Sequence, residues 1–115
     1  MSNLYNVKPV WGSNKPSLRD CNWESGPDRK LAHNTYRVTI DGQPGVMYHR
    51  TVIILRVSNG YRLNTGGHET STTKQRLNAL MPGGYGIHQK DFRWFLTLTY
   101  GEVVPFEDGM VICGS

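Results

Sequence analysis

The chain first shows what it lacks: no stretch of about 18 consecutive apolar residues occurs anywhere in its 115 residues, which excludes a membrane-crossing helix. Cysteine is almost absent. Cys21 and Cys113 stand near opposite ends, so a disulfide-dense scaffold and a zinc site built on close Cys pairs are both excluded. The opening Met1-Ser2-Asn3-Leu4-Tyr5-Asn6 has neither the basic nor the apolar region of a secretory signal, and the protein is expected to act where it is made. No long tract of Lys and Arg marks a disordered nucleic-acid arm. Without a repeat or a dividing linker, residues 1–115 are expected to form one domain, in keeping with a length that fits about one.

What is present is charge, unevenly spread. Lys and Arg number 13 against 9 Asp and Glu, a formal +4. From Thr99 to Ser115 there are three acids, Glu102, Glu107 and Asp108, and no Lys or Arg, so residues 1–98 carry 13 basic groups against 6 acidic ones, a net +7. A field of that kind steers anionic partners without choosing among them. A solvated surface kept soluble by its charge accounts for the same numbers.

Residues 1–30 are rich in Asn, Ser, Pro and Gly, with isolated apolar residues. Pro9 and Pro16 forbid a central strand there, and the segment reads as an extended arm pinned to the body through Trp11 and Trp23. The body, 31–115, begins with Tyr36, Val38 and Ile40 alternating with Thr35, Arg37 and Thr39, the period of a strand with one buried face. Asp41-Gly42-Gln43-Pro44-Gly45 is a turn by composition. Within Val46 to Val57 the β-branched run Val52-Ile53-Ile54-Leu55 favours a central strand. Ser58-Asn59-Gly60 carries a hairpin signal, with Tyr61-Arg62-Leu63-Asn64 as the return strand.

One helix is expected after Thr65-Gly66-Gly67. Thr72 and Gln75 match a capping box, and Thr73, Leu77, Leu80 and Met81 share one face before Pro82-Gly83-Gly84 stops it. A helix of about ten residues is too short to stand alone in water and must dock on a sheet. Further strands follow at Phe92 to Thr99, Glu102-Val103-Val104 and Met110-Val111-Ile112. The expected fold class is α+β: a mainly antiparallel sheet with one short helix packed on one face and an extended N-terminal arm.

The unusual chemistry lies between Thr65 and Arg76, where glycines, hydroxyls and two cations meet a helix start. The first turn of a helix exposes unpaired N–H groups and a partial positive charge. With Gly66, Gly67, Thr70, Thr73, Lys74 and Arg76 around it, that end is a candidate seat for a phosphate or carboxylate. It is neither a P-loop nor a dinucleotide fingerprint. The glycines could equally serve a tight connection, and the hydroxyls could cap local backbone.

The pattern Leu-x-Thr-Gly-Gly-x-x-Thr-x-Thr-Thr-Lys-x-Arg-Leu-Asn, Leu63 to Asn78, is followed by Gln-Lys-x-Phe-x-Trp-Phe, Gln89 to Phe95, and by Pro-Phe-Glu-Asp-Gly-Met, Pro105 to Met110. Together these resemble a signature of small uncharacterised proteins encoded by bacteriophages, over about the last half of the chain. His68 stands where that resemblance places an aromatic residue, often Trp. The resemblance implies a phage or prophage setting, hence the cytoplasm of an infected bacterial host, and an accessory role: binding nucleic acid, or interfering with a host enzyme or defence system. It implies no particular activity.

Catalysis needs a base, a nucleophile or a metal set. His33, His49, His68 and His88 show no zinc spacing. Glu69 adjoins His68, but neighbours in an extended loop seldom face one target. Cys21 has no local base to activate it. A binder without cofactor is therefore expected. For nucleic acid, Arg37, Arg50, Arg56, Arg62 and Arg93 are interleaved with Tyr36, Tyr48, Tyr61 and Phe95, the composition that follows phosphates and stacks bases, although Arg37 and Tyr36 must point to opposite faces. Arg62 and Trp94 would join the helix-start group if their hairpins lie adjacent in the sheet. The alternatives are a protein-binding inhibitor of a host enzyme or anti-phage defence system, using Trp, Tyr and Arg of the kind enriched at interfaces, a homodimer wrapped by the arm, and a small nucleotide-binding or catalytic protein.

Overall fold

Thr35 to Ile40 shows how the main sheet is built. In the computed structural model, which describes residues 18–113, these six residues form a strand as their period demands, but with its faces exchanged. Thr35 and Arg37 are buried, whereas Tyr36 and Ile40 are 40% and 39% exposed. The reason is the segment 21–28, which crosses this face and presents the Trp23 carbonyl and the Asp28 carboxylate to it. Arg37 Nε donates to Trp23 O at 3.0 Å, and its Nη1 donates to Asp28 Oδ1 at 2.7 Å and Thr39 Oγ1 at 2.8 Å. Arg29 serves the same loop, donating to the carbonyls of Cys21, Asn22, Ser25 and Pro27. The buried Trp23 carbonyl needs a donor and has one in Arg37, while Arg29 ties together the more exposed carbonyls of the loop.

Six strands form the large sheet: β1 (Arg29–Ala32), β2 (Thr35–Ile40), β3 (Gln43–Tyr48), β4 (Thr51–Val57), β5 (Gly60–Leu63) and, from near the end of the chain, β9 (Val111–Cys113). Each neighbouring pair is antiparallel. The β2–β3 connection is only Asp41-Gly42, both at positive φ, as a two-residue hairpin turn requires. Gln43, Pro44 and Gly45 already belong to β3. The segment 46–57 is not one strand: it folds back at His49-Arg50, and a bulge leaves Ile53 without a ladder partner.

A second sheet corrects the single-sheet expectation. β6 (Gly86–Lys90), β7 (Arg93–Thr97) and β8 (Val103–Pro105) form a separate three-stranded antiparallel meander. Helix α1 (Ser71–Leu80) and this small sheet bury against one face of the large sheet. Val46, Ile54, Leu63 and Ile112 come from the large sheet, Leu77 and Leu80 from α1, and Ile87, Trp94 and Leu96 from the small sheet, joined by Phe106 just beyond β8. Each such fully buried aliphatic contributes roughly 1.5–3 kcal/mol over its exposed state.

Two polar contacts lock the helix into this sandwich. Asn78 mimics a strand: its amide donates to Ile87 O at 3.0 Å, and its carbonyl accepts from Ile87 N at 2.6 Å. Trp23 Nε1 donates to Leu80 O at 3.1 Å, closing the C-terminal turn, while its ring meets Tyr61 edge-on at 5.7 Å. Of the expected N-terminal arm, residues 18–20 form a single 3-10 turn and Trp23 is buried. Trp11, Pro9 and Pro16 lie outside the described residues.

Among the described residues nothing packs on the other face of the large sheet. By register it carries Tyr36, Val38, Ile40, Met47, Val52, Leu55, Val57 and Val111. None of these belongs to the buried cluster or to the residues packed against it.

Candidate nucleic-acid interface

The β5–α1 connection is held by its own polar groups. Asn64 Oδ1 accepts from Gly66 N at 2.8 Å, and Thr65 Oγ1 accepts from Gly67 N at 3.2 Å. Gly66 has φ +66°, and a Cβ there would collide with Thr51 Oγ1, so glycine is required twice over. Asp108, from the loop between β8 and β9, reaches across to accept from Thr65 N at 2.9 Å, Thr65 Oγ1 at 2.8 Å and Gly67 N at 3.3 Å. The Gly-rich connection does cradle a carboxylate, and the carboxylate is the protein's own.

The helix is capped two residues before the expected position. Thr70 is the N-cap: its side chain accepts from Thr73 N at 3.2 Å, and the two hydroxyls lie 3.0 Å apart. Thr73 is buried, and no acidic residue occupies the first turn, so the positive end of the helix is not offset within the helix.

In front of this helix start lies a cleft of about 600 Å³, within the range of small-ligand sites. The β3–β4 hairpin lines one wall with Tyr48, His49, Arg50 and Thr51, joined by Asn34 from the β1–β2 turn. Thr65, His68, Thr70 and Thr73 form the other, and Ile53 completes the lining. Hydroxyls, two imidazoles and one guanidinium line it, with no Asp or Glu among them. His49 is held at φ +56° with its ring edge-on to Tyr48 at 4.3 Å. Arg76 reaches to the Tyr48 ring, with Cζ 5.7 Å from the centroid, which places its charge against the aromatic wall. Its Nε is buried without a hydrogen-bond partner among the described residues.

The structure gathers some of the sequence-nominated residues and separates others. Thr70 and Thr73 line the cleft, Arg76 meets Tyr48 in its wall, and Lys74, whose N–H donates to Thr70 O, sits half-buried in the first turn of α1. Gly66 packs on Thr51, and the Gly67 N–H is taken by Asp108. Arg62 is elsewhere: it pairs with Leu55 and Val111 on the other face of the large sheet, exposed between them. Trp94 is in the core, edge-on to Phe106 at 5.6 Å. Their hairpins belong to different sheets, so the adjacency expected of them does not arise.

Asn34 had no sequence signal; Tyr48 and Arg50 were named only among the strand aromatics and arginines and His49 only among the histidines, none of them beside the helix start, where the structure places all four. The available signal was the polar pair His49-Arg50 interrupting an apolar, β-branched run. Elsewhere, burial pushes the Cys21 thiol up, against the depressed value a nucleophile needs. Among the described residues no group of three or more His, Cys, Asp or Glu is placed to hold a metal ion.

Compared with known proteins, the chain matches the family model described as Kyanoviridae Gp96 protein over residues 17–113. No curated protein matches it, and no solved structure does.

Proposed function

The chain belongs to the Kyanoviridae Gp96 protein family, a family of phage proteins, and from that premise we propose that it is a small accessory protein that binds nucleic acid, seating phosphate in the cleft before α1. The observation that carries this reading is the lining: Arg50, His49 and His68 share it with threonine hydroxyls, Arg76 backs its Tyr48 wall, and no Asp or Glu is among the lining residues, the nearest carboxylate described being Asp108 on the Thr65 hydroxyl. Such a set favours an anion by charge and by hydrogen bonding. Arg50 is exposed at the hairpin tip, free to reach a backbone phosphate.

The experiment is a titration of fluorescently labelled oligonucleotide at rising salt. Phosphate contacts release counterions, so affinity is expected to fall steeply between low and physiological salt. Arg50→Ala and Lys74→Ala are each expected to weaken binding and reduce the salt slope by about one. Salt-independent binding unchanged in both variants would overturn the reading.

A second reading, a protein-binding inhibitor of a host enzyme or defence system, draws on one observation: the apolar face of the large sheet that no described residue covers, where Tyr36, Ile40 and Val111 are exposed. Patches of this kind mark interaction sites. A pull-down from nuclease-treated host lysate, repeated with Ile40→Lys, tests it. The reading requires a specific partner that the variant loses.

A further inference from the structure

The outer face of the small sheet carries a second surface, remote in sequence from the cleft. By register, His88 lies opposite Phe95, Lys90 opposite Arg93, and Phe95 opposite Pro105. Residues two apart on a strand share a face, so His88, Lys90, Arg93, Phe95 and Pro105 stand together, away from the core that takes Ile87, Trp94 and Leu96. The His88 and Phe95 rings are stacked, 5.8 Å apart and 24° from parallel. His88, Lys90 and Arg93 are exposed, and among the described strand residues no carboxylate stands on this face. The requirement that aromatics and cations share a face, which β2 cannot meet, is met here within one hairpin.

Two features at the end of this hairpin cost stability. Lys90 and Arg93 are like charges directly opposite each other, an unfavourable cross-strand pair. The two-residue turn is Asp91-Phe92, with φ of +54° and +65°. A turn of this type favours glycine, and a bulky aromatic at positive φ is a genuine outlier. Phe92 gains nothing by burial in exchange: it is 94% exposed. Conformational cost conceded at an exposed aromatic, beside a pair of cations with no ion-pair partner among the described residues, is the signature of a group kept for a ligand.

We infer that this face binds a single strand of nucleic acid, with bases stacked on Phe92 and on the His88–Phe95 platform and phosphates held by Lys90 and Arg93. Unpaired bases offer their faces to aromatic side chains, and those of a duplex do not. Flat rings flanked by cations therefore select the single strand. The inference rests on the reading of this protein as a nucleic-acid binder but uses a different surface, so the two can fail separately.

The test is fluorescence anisotropy of the whole chain with labelled oligo(dT) and oligo(rU) of about twelve nucleotides, a length set by typical single-strand site sizes, and with a duplex of the same length. Both single strands are expected to bind more tightly than the duplex, and whichever binds tighter identifies DNA or RNA as the natural strand. Phe92→Gly is expected to weaken binding about tenfold while raising the melting temperature, because it relieves the turn; a merely structural Phe92 would not separate the two readouts. Arg93→Ala is expected to weaken binding and flatten its salt dependence. Wild-type affinity in both variants, or a duplex bound as tightly as the single strands, overturns the inference. Arg50→Ala distinguishes the surfaces. Loss in that variant alone leaves the cleft reading standing and removes this one. Loss in the Phe92 and Arg93 variants alone does the reverse, and no binding by the wild type removes both.

Discussion

Asp108 grips Thr65 twice, accepting both its backbone N–H and its hydroxyl, and so ties the loop before β9 to the loop before α1 across 43 positions of sequence. Leu63 strengthens the tie: its N–H donates to Met110 O, and its carbonyl accepts from Gly109 N. Two stretches that look unrelated in the sequence, Thr65-Gly66-Gly67 and Glu107-Asp108-Gly109-Met110, are one structural unit.

Removing the carboxylate should therefore loosen the helix start. Hydrogen bonds to a charged group are worth about 1.5–3 kcal/mol when well shielded; because Asp108 is exposed, Asp108→Ala is expected to cost about 2 kcal/mol in all. Asp108→Asn, which keeps an acceptor, should cost less. Urea denaturation of both variants measures the difference, and equal losses would show that the contact depends on the charge and not on the shape or the remaining acceptor.

The exchanged faces of β2 give a counter-intuitive pair of variants. Arg37→Leu adds hydrophobicity to a buried position, yet it strips donors from Trp23 O, Asp28 and Thr39 and is expected to destabilise by about 2 kcal/mol. Ile40→Thr removes hydrophobicity from a strand and is expected to shift stability by no more than about 0.5 kcal/mol, because its side chain already meets solvent. Thermal melts of the two settle the orientation of the strand.

How much of this could be read beforehand depends on where the burial comes from. Thr73, Leu77, Leu80 and Met81 were legible because a helix buries one stripe and the stripe is apolar; all four are buried. Tyr36, Val38 and Ile40 were misread as the inner face because Arg37 is buried against the Trp23 carbonyl, the Asp28 carboxylate and the Thr39 hydroxyl, a set of partners that strand alternation does not reveal. Phe92 was misread as strand because alternation with Trp94 and Leu96 hides a two-residue turn that lacks glycine. The second sheet was invisible for a related reason: nothing in β6 to β8 states which strands they will neighbour. At the candidate site, the helix start was legible from Thr70 to Arg76. The opposite wall was not, since Tyr48, His49 and Arg50 come into position only through the β3–β4 pairing.

Stability should fall at both ends of the pH scale for identifiable reasons. The Arg37 guanidinium, with help from the Thr39 hydroxyl, holds the Asp28 carboxyl below its ordinary 3.8. A depressed acid stabilises the fold above its unfolded value and loses that contribution as pH falls through the folded one, so Asp28→Asn should flatten the melting-temperature profile below about pH 4. Tyr61 behaves oppositely. Burial, together with its hydrogen bond to Glu24 Oε2 at 2.6 Å, pushes its hydroxyl up to about 12. That contribution is complete below pH 10 and lost between 10 and 12, and a tyrosinate absorbance titration should show one phenol ionising late, absent in Tyr61→Phe.

The two free cysteines should separate by reactivity. Cys113 is exposed on the edge strand β9, while Cys21 is buried with its thiol pushed up. Alkylation of the native protein should modify Cys113 alone, and Cys21 only after denaturant is added. Mass spectrometry of the peptides reads the outcome directly, and early modification of Cys21 would mean that segment 21–28 opens readily from the sheet.

The Asn78 amide has a consequence beyond holding the helix. β6 is an edge strand, and an edge offers unpaired N–H and C=O groups to any other extended chain. Asn78 occupies both groups of Ile87, near the middle of that edge, so a second molecule cannot add a strand there without first evicting a side chain. At the opposite edge, β8 is only three residues long and ends in Pro105, which has no N–H to offer. Among the described residues the small sheet is thus obstructed at one point on each edge, at Ile87 and at Pro105, while His88, Lys90 and Arg93 leave its outer face exposed.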